Sequence, residues 1–172
     1  MSDETLYTTW ARITGTSNSP DDTVDDFMTD WVDDHDIEGI KAAYRNAIDQ
    51  ALPAGVALVG NEFIGPARPE QGEFDGYPVD EYGGLDIAAI VEDVDLGEIA
   101  PRFELLDINE VAARFGYEGK NPAATARSAV SRLGVERAGL SDDPRPRALF
   151  RAGDVEDAIA ARPGKGNRTS RS

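Results

Sequence analysis

Residues 107–134, DINEVAARFGYEGKNPAATARSAVSRLG, constrain the fold more than any other stretch of the chain. Ile108, Val111, Ala112 and Phe115 stand at positions 0, 3, 4 and 7, the spacing of one face of an α-helix. Asp107, with Glu110 three residues later, has the pattern of a capping box, in which each side chain answers the other's backbone N–H. Gly116 suits a left-handed helix end. Asn121 then offers a second N-cap, and Pro122 occupies the favoured first helical position. Ala126, Ala129, Val130 and Leu133 repeat the spacing, with Gly134 behind them. Two short helices joined by a turn after a glycine are therefore expected.

The rest of the chain reads as mainly helical with minor β. A short helix is expected around Leu6 to Ile13. Val24, Phe27, Met28 and Trp31 form another helical stripe, and Trp10 and Trp31 are expected in the core. Asp36 opens a helix carrying Ile37, Ile40, Tyr44, Ala47, Ile48 and Ala51, which Pro53 ends. The β-branched stretch GVALVGNEFIG (55–65) suits a short strand or a small hairpin around Gly60-Asn61. Residues 66–84, rich in proline and glycine, read as a long loop pinned by Phe74, Tyr77 and Tyr82. Ile87, Ile90, Val91 and Val94 restore a helical stripe after Asp86, and DLGEIAPRF adds a helical turn or two. Beyond residue 134, Val135 and RALF suit two strands of a small hairpin. Asp154 suits the cap of a last short helix with Val155, Ala158 and Ile159 buried. The tail 165–172, KGNRTSRS, has no apolar residue and is expected to be disordered.

Charge divides the chain. Residues 1–100 hold four Lys/Arg and 23 Asp/Glu, whereas residues 101–172 hold 13 Lys/Arg and ten Asp/Glu. Such asymmetry points to two parts with different roles. The expected division is an acidic helical region with a short hairpin (1–100), a second domain (101–164) and the basic tail (165–172).

The basic residues explain the second helix. Opposite its apolar stripe lie Ala124, Ser128 and Ser131, flanked by Arg127 on one side and by Arg132 and Thr125 on the other. Every one of these is small, hydroxylated or cationic, in a chain with 33 acids. A helix lying in a DNA major groove needs such a surface. Small residues admit the backbone, Arg pairs bidentately with guanine, and Ser or Thr bonds phosphates or base edges. The paired helices resemble a helix-turn-helix, with INEVAARFGY as first helix and TARSAVSRLG as recognition helix. RPRALFRAGDVEDAIAARPG resembles the wing and closing helix of MerR-like or excisionase-like winged helices, so the resemblance covers residues 104–164. The segment ALPAGVALVGNEFIGP joined to RFGYEGKNPAATARSAVSRLG makes the whole chain resemble actinobacterial-type helix-turn-helix proteins without an established function. The turn YEGKNPAA is about four residues longer than the usual one.

The resemblance implies a double-stranded DNA partner and a transcriptional regulator or excisionase-like accessory factor. Arg127, Ser128, Ser131 and Arg132 would read bases. Lys120, Thr125, Arg145, Arg147 and Arg151 would contact phosphate, with Arg168 and Arg171 adding salt-dependent affinity. The acidic half would then serve as a homodimer or protein-partner module. Two other readings stay open. The arginines could simply be solvated or paired with acids, or the protein could be a non-enzymatic interaction protein whose acidic half docks a basic partner, by DNA mimicry or otherwise.

Enzyme chemistry lacks material. There is no cysteine and a single histidine, so Cys- or His-based triads and zinc sites have no basis. His35, within DDHDIEG, reads as an exposed helix-junction residue rather than a metal ligand. DVDLGE (93–98) lacks the twelve-residue run of a calcium loop and reads as helix capping. No catalytic residue, cofactor or metal is expected. The opening MSDETLYTTW shows no secretory signal, and no stretch approaches the roughly 18 apolar residues of a membrane span. A cytoplasmic protein without membrane association is the expectation.

Overall fold

The computed structural model describes residues 4–66 and 74–162. Helices dominate, accompanied by two small antiparallel three-stranded sheets. The described residues form two compact units, one from 4–32, 37–66 and 74–99, the other from 33–36 and 100–162.

The first unit opens with β1 (Glu4–Thr9) and α1 (Trp10–Thr14). The helix expected over Leu6 to Ile13 is thus a strand up to Thr9. TLYTT is rich in β-branched and aromatic residues, and its backbone pairs antiparallel with β3 (Glu62–Pro66). β2 (Ala57–Val59) pairs on the other side of β3, giving the order β1-β3-β2. Gly60 supplies the positive φ, 61°, that the β2–β3 hairpin turn needs.

The core of this unit is built on Trp10, which is fully buried. Its ring meets Tyr44 edge-on at 5.8 Å and stacks on Phe63 at 6.1 Å. Its indole N–H donates to Thr23 Oγ1 at 2.9 Å, so the buried polar group is satisfied. α2 (Pro20–Phe27) contributes Val24, and α3 (Ile37–Ala51) contributes Ile40, Tyr44 and Ile48. α4 (Ile87–Asp93), capped by Asp86, and α5 (Leu96–Ile99) complete it. Trp31 departs from the expected core position and is 56% exposed, because α2 stops at Phe27 and the stripe does not continue beyond Met28. Tyr82, at 88% exposure, does not pin the 66–84 loop, and residues 67–73 of that loop lie outside the described residues.

The second unit begins with a 3-10 turn, Ala100–Phe103, and β4 (Leu105–Leu106). α6 (Ile108–Phe115) and α7 (Pro122–Arg132) follow, then β5 (Gly139–Leu140), β6 (Ala148–Arg151) and α8 (Ala152–Ala161). The strand order is β4-β6-β5. Residues 33–36 lie in this unit: Asp36 N donates to Phe103 O at 2.9 Å and Leu105 N to Asp34 O at 2.7 Å. His35, bridged to Glu104, is consequently half-buried rather than exposed.

Both helix ends in 107–134 form as the sequence indicates. Asp107 Oδ1 accepts from Glu110 N at 2.9 Å, and Glu110 Oε1 accepts from Asp107 N at 3.2 Å. Gly116, at φ 77°, lets Tyr117 N reach back to Ala112 O. Gly134, at φ 71°, lets Val135 N reach Val130 O in the same way. That bond is why Val135 is not a strand residue as expected: its N–H closes α7 and its side chain packs on the core. β5 forms later, at Gly139–Leu140. α8 likewise starts two residues before Asp154, because β6 runs straight into it and Ala152 N is taken by Glu104 O at 2.8 Å. Leu106, Val111, Ala112, Phe115, Ala126 and Val130, with Phe150 and Val155, form the shared core. The tail 165–172 lies outside the described residues.

Candidate nucleic-acid interface

α7 is held by its buried residues Ala126, Ala129 and Val130, which pack against α6. Asn121 Oδ1 accepts from Ala124 N at 3.1 Å and so fixes where the helix starts. With that stripe inward, Thr125, Arg127, Ser128, Ser131 and Arg132 are all exposed. No carboxylate lies within the helix.

Net charge does not single out this unit. Across residues 33–36 and 100–162, 13 Asp/Glu accompany ten Lys/Arg. What differs is how the cations are used. Arg102 bonds Asp157 at 2.7 Å, Arg114 reaches Glu104 at 3.2 Å and Glu156 at 3.4 Å, and Arg147 reaches Asp107 at 3.4 Å. Arg162 lies 5.3 Å from the centre of the Phe115 ring and donates to the Phe115 carbonyl. By contrast Lys120, Arg127, Arg132, Arg137 and Arg145 form no ion pair among the described residues. These five lie on α7, in the turn before it, or in the segments after it. The paired arginines lie on the 3-10 turn, α6, β6 and the residue just before β6.

The expected contact residues therefore fall into groups. Arg127, Ser128, Ser131 and Arg132 share the outer side of one helix. Thr125 is exposed, although its hydroxyl donates back to Asn121 O at 3.3 Å. Lys120 is exposed in the turn before α7, and Arg145 in the β5–β6 loop. Arg147, at the end of that loop, lines one groove together with Arg127. Arg151 is used differently. Its Nε donates to Asp36 Oδ2 at 2.7 Å and its guanidinium lies 6.0 Å from the centre of the Phe103 ring. This pair ties the 33–36 segment to β6 and balances the Arg151 charge, as Asp107 does for Arg147. Arg168 and Arg171 lie outside the described residues.

Two residues were not singled out by the sequence. Arg137 is exposed two residues before β5 and carries an unengaged charge among the described residues. Asn109, in the first turn of α6, lines the same groove as Arg127. A lone asparagine in a helix has no sequence signal for this, since only the crossing of α6 and α7 brings it there. Among the described residues no three His, Asp or Glu side chains are placed to hold a metal ion, and no helix is long and apolar enough to cross a membrane.

No protein-family model, curated protein or solved structure matches the chain.

Proposed function

We propose that residues 100–162 act as a winged helix-turn-helix unit that binds double-stranded DNA, with α7 entering the major groove. The observation that carries this reading is the exposed, carboxylate-free side of α7, whose arginines are not ion-paired within the described residues while those of the neighbouring elements are. Solvent-facing guanidinium groups beside small hydroxylated residues can pair bidentately with guanine and bond phosphate oxygens. Arg127, Ser128, Ser131 and Arg132 read base edges, while Lys120, Thr125, Arg145 and Arg147 contact the backbone. The β5–β6 loop serves as the wing. The protein is a transcriptional regulator or an excisionase-like accessory factor, with the acidic first unit as a homodimer or protein-partner module. The Debye length of about 8 Å at physiological salt limits the repulsion that those acids exert.

The test is fluorescence anisotropy of the full chain on a mixed-sequence duplex between 50 and 200 mM salt. Lys120, Arg145 and Arg147 on phosphates, with Arg127 and Arg132 adding positive charge beside the backbone, amount to about four or five cationic contacts and imply a slope of log K against log salt near −4, or roughly a 250-fold loss across that range. Arg127→Ala with Arg132→Ala lowers affinity at least tenfold and makes the slope shallower by up to about 2. A chain that fails to bind at 50 mM, or a double variant that binds as well as the parent, removes the DNA reading. The acidic unit docking a basic protein partner then takes its place.

A further inference from the structure

The groove that Arg127 and Arg147 share has a composition suited to a small ligand. It measures about 390 Å³ and lies among the start of α6, α7 and the β5–β6 hairpin. Ile108, Pro146, Ala148 and Phe150 give it an apolar lining, and no carboxylate lines it. Its polar lining residues are Arg127, Arg147 and Asn109. Small-molecule sites in proteins have this make-up: hundreds of cubic ångströms, mostly apolar walls and a few polar groups that orient the ligand.

The walls are fixed by the fold. Ser141 N donates to Arg147 O at 2.9 Å, and Arg147 N donates to Ser141 Oγ at 2.8 Å, so the loop carrying Pro146 is closed at its base. The floor residue Phe150 is only 6% exposed and belongs to the core. Charge then selects the ligand class. Arg147 is already balanced by Asp107, which takes its Nη1 at 3.4 Å, whereas Arg127 has no ion-pair partner among the described residues. One positive charge therefore remains above an apolar floor.

We propose that this groove binds an organic monoanion with a flat apolar body, such as an aromatic carboxylate or sulfonate. The ring lies on Ile108, Pro146 and Phe150, and the anionic head pairs with the Arg127 guanidinium. Charge-assisted bidentate pairing with a planar guanidinium is among the strongest polar contacts a surface groove can offer. A cation of the same shape meets the uncompensated Arg127 charge and is disfavoured. A neutral analogue gains the floor and forfeits the pairing.

The test titrates naphthalene-1-sulfonate into the full-length protein and follows backbone amide shifts by NMR. No nucleic acid is present, so the result stands apart from the DNA reading. Saturable shifts confined to residues 107–109, 127 and 146–150 are expected. Arg127→Gln weakens binding at least tenfold, whereas Arg137→Gln, which removes the same charge outside the groove, changes it less than twofold. Because Arg127 is exposed, its replacement leaves the remaining amide spectrum in place. 1-Naphthylmethylammonium gives no saturable shift. The proposal is overturned if the sulfonate shifts scatter over other surfaces, if the ammonium compound binds equally well, or if Arg127→Gln and Arg137→Gln behave alike.

Discussion

Gly153→Ala sets helix propensity against packing within a single residue. Gly153 is in the first turn of α8 and is buried. In an ordinary exposed helix the change would stabilise by up to about 1 kcal/mol, because alanine loses less backbone entropy on folding. Here a Cβ would stand 2.9 Å from the Arg102 carbonyl oxygen and 2.9 Å from Arg102 Cβ, closer than real Cβ contacts come. No rotamer change relieves a clash with a backbone oxygen, so α8 or the 3-10 turn must move by several tenths of an ångström. Forcing an extra carbon into a packed site costs about 1–3 kcal/mol. The same movement strains the Arg102–Asp157 pair, now at 2.7 Å. Packing wins, with a net loss of about 1 kcal/mol. Native-state hydrogen exchange resolves the effect locally: amides of α6 to α8 should exchange about fivefold faster. Slower exchange in the variant would refute the argument, since it would mean that α8 does not sit so closely on the 3-10 turn.

Two further predictions concern stability. Asp107→Ala removes the acceptor for Glu110 N and should cost about 1 kcal/mol in denaturant unfolding. Asp107→Asn, which keeps a capping oxygen, should recover most of that loss, because the exposed Arg147 pair contributes little. Burial of Tyr44 favours its neutral phenol and raises its pKa above the ordinary 10.0. The unfolded chain therefore ionises first. This contribution is intact below pH 10 and is lost as the pH climbs from 10 through the folded-state value. Tyr44→Phe should flatten that part of the alkaline decline in the unfolding midpoint, and an unchanged profile would count against the burial account.

Local signals were legible wherever a short run of residues sufficed. The Asp107–Glu110 box, the Asn121 cap and the positive-φ glycines at 60, 116 and 134 all depend on neighbours within a few positions. The inward stripes of α6 and α7 follow from helical spacing alone, and so does the acid-free outer side of α7. Signals failed where a distant partner decided. Leu6 and Tyr7 look compatible with a helix until β3, more than 50 residues away, offers its edge. Val135 looks like a strand residue until its N–H is used to close α7.

By itself, then, the amino-acid order determined which residues of 107–134 face inward, where both helices start and stop, and which side of α7 could carry arginine and serine without a carboxylate. Those properties are set by backbone geometry and near neighbours. Tertiary structure alone decided that residues 33–36 join the second unit, that Arg151 turns to Asp36 while Arg127 forms no ion pair among the described residues, and that Asn109 and Arg147 meet Arg127 around one groove. Ion pairing and concavity depend on through-space distances between residues far apart in the chain, and no local pattern encodes those.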